Sequence, residues 1–243
     1  VVETSSLWII LCPLDREDVG GGQGAAAAAV YLVEKGERRL DVVGPALLQG
    51  LHDGGRVGGA EAALEEVVGH AGADGVWWLA RQFASSSSLD GAHSGYWRVL
   101  LRHVSEWEDG SEVADVLGRV IPYVGGWLLP RYAEIRRSLR VLLERHGAAR
   151  ETLERATWSF SRPVRTGAAR VLMACFPESA FRAVDIVIQG AGDGSRTDEW
   201  LQFCLQLDLR TPVVDHIEQK LDDLAGEGQL RVVGRLLLGS LEL

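Results

Sequence analysis

The sequence is poor in the residues that hold metal ions, disulfide frameworks and membrane spans. Its three cysteines, Cys12, Cys175 and Cys204, form no Cys-x-x-Cys pair, and its six histidines form neither His-x-x-x-His nor His-Glu-x-x-His. A disulfide framework and a helical zinc pair are therefore not predicted, and the cysteines are expected to pack as small apolar side chains. No run of 18 apolar residues predicts a membrane-spanning helix. We expect a cytoplasmic chain without a metal site and without a cofactor.

Lysine is almost absent, and the basic residues are nearly all arginine. Lys35 and Lys220 are the only lysines among the 25 basic residues, which leaves 23 arginines. This bias is typical of the codons of a GC-rich bacterial genome. The formal net charge is −9. An acidic total argues against a general nucleic-acid or anionic-membrane binder, because such proteins need surplus cations.

The motifs of the common enzyme classes are incomplete. Gly22, Gly24 and Ala27 fit a relaxed Gly-x-Gly-x-x-Ala. A dinucleotide site needs such glycines directly after a strand, whereas here a turn-rich segment, 13–19, precedes them. The nucleophile elbow fails as well, because His93 stands where Gly-x-Ser-x-Gly requires serine. We expect no catalytic residues, and the glycine-rich stretch is predicted to be an interhelical loop.

Similar short segments recur along the chain at a nearly constant spacing. Five of them open predicted helices at positions 24, 59, 95, 131 and 167, which are 35, 36, 36 and 36 residues apart. A second helix is predicted after each, beyond short breaks at 35–37, 72–74, 109–111, 146–147 and 177–179. Helices of this length joined by short turns must pack antiparallel. The period therefore predicts a stack of helical hairpins.

The apolar residues recur every three or four positions, which is the spacing of a helix and not of a strand. In the segment 132–143 they are Tyr132, Ile135, Leu139, Leu142 and Leu143. The segment 213–224 has the same pattern. Beyond residue 190 the predicted helices follow one another more closely, and the last, over 229–241, is strongly apolar.

Paired helices at this period, with small residues opening each unit, resemble HEAT-like repeats over residues 24–241. Arrays of this kind are similar to the C-terminal sensor regions of bacterial NACHT and other STAND-type NTPases. The resemblance implies an all-α, right-handed α-solenoid of about six antiparallel helical hairpins with a period of about 36. Because the chain begins with Val1 and not with Met, we expect it to be part of a larger protein.

The expected domain organisation is a single helical-repeat domain over 1–243. An N-terminal helix and glycine-rich loop occupy 1–23, regular repeats follow over 24–190, and tighter C-terminal repeats complete the chain over 191–243. In a repeat array each unit packs only on its neighbours, so a chain of this length does not have to divide into separate globular domains.

A basic segment contrasts with the acidic total. Residues 131–170 contain ten arginines and four glutamates, a net charge of +6, so the rest of the chain carries −15. Arg136 and Arg140 are four positions apart and share a helical face. Together with Arg131 and Arg137 they are the predicted binding residues for an acidic ligand. Arginines spread around solvated helices would produce the same count, and this interpretation stays open.

Tryptophan is the second candidate for a binding surface, with eight residues in the chain. Exposed aromatic side chains anchor partners on many protein surfaces, although most tryptophans pack in cores. Trp77 and Trp78 are adjacent, so on a helix they point about 100° apart and are not expected to be equally buried. This pair is the predicted surface anchor.

Three functions remain open from the sequence. The favoured one is a non-enzymatic protein- or ligand-binding scaffold or sensor module, with a protein or peptide as its partner. An alternative is a HEAT-like DNA glycosylase or another nucleic-acid-binding helical-repeat protein, supported by the basic segment with Trp127 and Trp158. The third is a structural subunit that oligomerises through its apolar last helix.

Overall fold

A computed structural model of the chain describes residues 21–52, 59–85, 93–125 and 128–176, together with the isolated positions Leu207 and Asp215. All regular secondary structure in these residues is helical, and they contain no strand. The predicted all-α class is therefore confirmed for the described part of the chain. The predicted break at 177–179 and the predicted helices over 212–224 and 229–241 lie outside it, apart from the single position Asp215.

The chain divides into two compact units, residues 1–108 and residues 109–243. The described helices of the first unit are α1 (Gly21–Glu34), α2 (Leu40–His52), α3 (Ala60–Ala71), α4 (Ala73–Ser85) and α5 (His93–Val104). Those of the second unit are α6 (Gly110–Val120), a 3-10 helix (Ile121–Tyr123), α7 (Leu128–Arg131), α8 (Ala133–Arg145), α9 (Gly147–Ala156) and α10 (Arg162–Cys175). The expectation of one repeat domain over 1–243 stays a prediction.

Four of the predicted breaks coincide with helix ends. Gly36, with φ of 100°, follows α1, and Gly72, with φ of 60°, separates α3 from α4. Both positions favour glycine because a side chain is strained at positive φ. Asp109 caps α6, where its side chain accepts a hydrogen bond from the Ser111 N–H at 2.7 Å. His146 separates α8 from α9.

In the first unit, helices that are two apart in sequence pack side by side. Helix α3 contacts α1 and α5 as well as its sequence neighbours α2 and α4. Two ion pairs link α3 to α5, Glu61 with Arg98 and Glu65 with Arg102, and both span 37 residues. Because the two pairs keep the same offset, α3 and α5 run in the same direction.

Aromatic packing fills the core between α4 and α5. The Trp97 side chain is fully buried, and its ring centroid lies 5.3 Å from that of Phe83 in an edge-to-face arrangement. Tyr96 approaches the same Phe83 ring at 5.8 Å, and its hydroxyl donates to the Leu48 carbonyl oxygen at 3.1 Å. Burial raises the pKa of the Tyr96 hydroxyl, as expected for a phenol that has lost its water.

In the second unit, α9 packs against α6, α8 and α10, while α10 also contacts the 3-10 helix. The periodic residues Ile135, Leu139, Leu142 and Leu143 of α8 are all buried, which confirms the predicted apolar face. Tyr132 lies just before the helix and is only half-buried.

Three of the five predicted helix starts are displaced. Position 24 was expected to open a helix after a glycine-rich loop, but Gly21–Gly24 already belong to α1, and position 131 ends α7, with α8 beginning at Ala133. Position 167 was expected to open a helix, but α10 begins at Arg162, five residues earlier. The true start signal is Ser161 followed by Arg162 and Pro163, because proline in the first helical turn has no N–H to leave unpaired. Gly167 lies instead in the helix interior, where a side chain would collide with the Ile121 backbone. The period of about 36 stays a prediction.

Candidate protein-binding surface

The predicted tryptophan anchor lies on α4 in the first unit. Trp77 and Trp78 are both half-buried. The Trp78 ring lies against Gly44 of α2, where a Cβ atom would come within 2.7 Å of the ring. At least one face of Trp78 therefore serves helix packing. The role of the pair as a surface anchor stays a prediction.

The predicted arginine site lies on α7 and α8 in the second unit. Arg131, Arg137 and Arg140 are exposed, whereas Arg136 is half-buried. Arg140 Nε is 2.8 Å from a carboxylate oxygen of Glu144, one turn along the same helix. The four arginines thus lie on one continuous segment, as the sequence predicts, but they belong to a different unit from the tryptophan pair.

The half-buried Arg136 lies beside a buried cysteine. Cys175 is buried, and its thiol donates to the Arg136 carbonyl oxygen with a sulfur–oxygen distance of 3.7 Å. Burial raises the pKa of the Cys175 thiol to about 12, and the charges of Arg136 and Arg140 oppose that rise. A thiol of this kind is not a nucleophile at neutral pH. The prediction that this cysteine packs as an apolar residue is confirmed, while Cys12 and Cys204 lie outside the described residues.

The structure shows a further surface at the C-terminal end of α9, of which the sequence indicated only Trp158, as support for the nucleic-acid-binding alternative. Three residues on one side of the helix and one in the turn directly after it are spaced at i, i+3, i+4 and i+7, and we call them the α9 stripe. They are Glu151, Glu154, Arg155 and Trp158. They line an open pocket of about 420 Å³. The opposite side of α9 is buried through Ala149 and Leu153.

Exposed aromatic side chains continue from this stripe into the turn before α10. Trp158 is 63% exposed and Phe160 is fully exposed. These two residues lie only two positions apart, in a turn over residues 157–161 that we call the aromatic turn. Tyr31 and Val141 are the other large apolar side chains with high exposure among the described residues.

Hydrogen bonds hold the aromatic turn in place. The buried Thr157 hydroxyl donates to the Glu154 carbonyl oxygen at 2.7 Å, which anchors the turn to α9. The Arg165 side chain donates to the Ser159 carbonyl oxygen at 2.7 Å, which anchors it to α10. The Ser161 N–H donates to the Ser159 hydroxyl at 3.2 Å. The backbone that carries Phe160 is therefore fixed on both sides.

Some of the charged side chains around the pocket form hydrogen bonds or ion pairs with described residues, and one of them does not. Glu154 accepts a hydrogen bond from Arg150 Nε at 3.2 Å, and Arg155 donates to the Thr152 hydroxyl at 3.2 Å. The Arg150 guanidinium also lies 4.2 Å from the ring centroid of Phe176, which holds it in position. No described residue forms an ion pair with the exposed Glu151 carboxylate.

A signal for this surface exists in the sequence. On a helical wheel of α9, Ala149, Leu153 and Thr157 share the buried side, and Trp158 falls among the charged residues of the other side. A tryptophan on the charged side of an amphipathic helix is the pattern to look for. The Ser-Phe-Ser sequence that follows, between two helices, is a second sign.

Among the described residues, two features are absent: a metal-binding cluster and a membrane-spanning helix. No group of three or more histidine, cysteine, aspartate or glutamate side chains there could hold a metal ion. None of the described helices combines the length and the hydrophobicity that a bilayer crossing requires.

The comparisons with known proteins give no match. No protein-family profile matches the chain, and neither the curated proteins nor the solved structures include a significantly similar one.

Proposed function

We propose that the chain is a non-enzymatic protein-binding module, and that the α9 stripe and the aromatic turn form its binding surface. The exposure of Trp158 and Phe160 on a hydrogen-bonded turn carries this proposal. Aromatic side chains held rigidly at a surface are typical interface anchors, because they bury a large apolar area and lose little conformational entropy on binding.

The proposal includes the finer architecture expected from the sequence. The units are HEAT-like hairpins of a right-handed solenoid with a period of about 36, within a larger cytoplasmic bacterial sensor protein. Support comes from the first unit, where α3 contacts both α1 and α5, and where the 37-residue offset of Glu61–Arg98 and Glu65–Arg102 makes α3 and α5 parallel. Stacked hairpins have both properties.

Site-directed photo-crosslinking tests the binding surface. Benzoylphenylalanine replaces Phe160 in one variant and Tyr31 in a matched control, because both side chains are exposed aromatics and Tyr31 lies in the other unit. We expect a discrete protein adduct in host cells from position 160 alone. The adduct is identified by mass spectrometry and its partner is purified for direct binding measurements.

Binding measurements with the purified partner then test the proposal. We expect W158A and F160A each to weaken binding by about tenfold or more, which is the range of interface anchor residues, and Y31A to leave it unchanged. Circular dichroism of each variant checks the fold. Full binding by the correctly folded W158A/F160A double variant would refute the proposed surface.

The arginines of α7 and α8 favour a second candidate, an acidic ligand. Arg131 and Arg137 are exposed, and neither forms an ion pair within the described residues. An acidic peptide and a DNA duplex are titrated separately at low salt against wild type and against R131Q/R137Q. Binding of the peptide that the double variant loses supports this site. Binding of DNA instead supports the nucleic-acid alternative, and no binding of either removes both.

A further inference from the structure

Among the residues that the structure describes, the lining of the pocket beside Trp158 combines an aromatic face with more negative than positive charge. Two carboxylates, Glu151 and Glu154, belong to this described lining, together with one guanidinium, that of Arg155. Arg155 is hydrogen-bonded to Thr152, and Glu154 is shared with Arg150 outside the lining. The carboxylate of Glu151 is thus the charge that a ligand in this pocket can most readily engage.

These charges discriminate between classes of ligand. An anionic side chain in the pocket would meet two carboxylates, while a purely apolar one would leave Glu151 without a counter-charge. A cation gains from both components of the lining, because the electron-rich face of tryptophan attracts it and Glu151 neutralises it. Arginine suits such a pocket best, since its planar guanidinium stacks on an aromatic ring while its N–H groups bind a carboxylate.

We propose that this pocket binds an arginine or lysine side chain of the partner, next to an apolar residue that packs on Phe160. The inference rests on the proposed function, and it adds the chemistry of the partner: a basic residue beside an apolar one. The fully exposed Phe160 supplies the apolar contact, and the hydrogen bonds of the aromatic turn keep it near Trp158. Unlike the α8 arginines, this surface selects for positive charge.

Blocked peptides of the form acetyl-Gly-X-Leu-Gly-amide test the selectivity, with X as arginine, norleucine or glutamate. The full chain is labelled with 5-fluorotryptophan, and the signal missing from W158F identifies Trp158 in the fluorine NMR spectrum. We expect the arginine peptide to shift that signal at millimolar concentrations. It should bind at least about threefold more tightly than the norleucine peptide, the scale of an exposed cation–π contact, and more tightly still than the glutamate peptide.

Variants of the charged residues separate their contributions to peptide binding. We expect E151Q to weaken binding of the arginine peptide by about threefold, and R155Q to strengthen it by a similar factor because it removes the lining cation. Glu112 on α6 provides the control, since it is an exposed glutamate of the same unit, and E112Q should change nothing.

The results that would overturn the cation site can be told apart from those that would overturn the proposed function. Equal binding of the three peptides, or no shift of the Trp158 signal at any concentration, overturns the cation site. If W158A/F160A still abolishes binding of the cross-linked partner in that case, the proposed function stands without it. A dimer in light scattering that F160A dissociates would make a second copy of the chain the occupant, and would overturn the basic partner.

Discussion

Two glycines in the interiors of helices should respond in opposite ways to alanine. Alanine is the better helix former by about 0.5–1 kcal/mol, because glycine has more conformational freedom to lose on folding. At Gly118 on α6, no described atom beyond its chain neighbours and the nearby backbone of α6 lies within 4 Å of the position that a Cβ would take, so G118A should stabilise the protein by about that amount. Gly167 on α10 faces the backbone of Ile121, and there the outcome differs.

A Cβ at Gly167 would lie 2.0 Å from the Ile121 carbonyl oxygen and 2.8 Å from its carbonyl carbon. A carbon–oxygen contact is comfortable at about 3.3–3.6 Å, so α10 and the 3-10 helix must separate by more than about 1 Å. The obstacle is backbone, which cannot rotate away. Overpacking of this kind costs about 1–3 kcal/mol or more, which exceeds the gain in helix propensity. We expect a net destabilisation of about 2 kcal/mol.

Urea unfolding measures both variants, followed by far-ultraviolet circular dichroism and by tryptophan fluorescence. Two probes are needed because the chain has two compact units, and a non-coincident transition would show that they unfold separately. The difference between G118A and G167A should be about 2.5–3 kcal/mol, the sum of the two effects. Equal stability of the two variants would refute the close approach of α10 to Ile121.

Two further predictions concern the charges of the first unit. In a double-mutant cycle of E61Q and R98Q, we expect a coupling energy of about 1 kcal/mol, because the two side chains form a bidentate ion pair at 2.8 and 2.6 Å. The coupling energy should decrease at high salt, because both side chains are about one-third exposed. A coupling energy of zero would contradict the link between α3 and α5. The pKa of Glu37 is lowered from 4.5 to about 2, mainly by the hydrogen bond from the Arg39 side chain. A carboxylate whose pKa is lower in the folded state stabilises the protein at pH values above the unfolded pKa, and this stabilisation is lost as the pH falls. The stability advantage of wild type over E37Q should therefore be complete above about pH 5 and disappear towards pH 2. A difference in urea midpoints that does not change with pH would contradict this assignment.

The helices and their ends were accessible from the sequence because they depend on local signals. The apolar spacing in 132–143 predicts α8, and the Asp109-Gly-Ser111 sequence marks the start of α6 through a cap that the structure shows. The single-turn helix α7 and the 3-10 helix could not be predicted in this way. Each is too short to show a period, and each contains a proline, Pro130 and Pro122, that interrupts the helical pattern.

The burial of individual tryptophans depends on contacts between elements, and adjacency in sequence is a poor guide to it. Trp97 shares one side of α5 with Leu100, Leu101 and Val104, at positions i+3, i+4 and i+7, and it is fully buried. Trp158 has no such neighbours on α9 and is exposed. The position on the helical wheel therefore separates a core tryptophan, Trp97, from a surface tryptophan, Trp158.

Some arginines bond between elements and others within one helix, and this difference bears on where ligands bind. In the first unit, Arg98 and Arg102 on α5 bond across to glutamates of α3 and so contribute to helix packing. In the second unit, Arg140 and Arg150 each pair with a glutamate one turn further along their own helix. Pairs of the second kind leave both charges at the surface of a single helix. Arg131, Arg137 and Arg140 thus lie exposed at the surface of the second unit. The acidic-ligand site proposed on α7 and α8 and the cation site proposed beside α9 occupy separate parts of the segment 131–170.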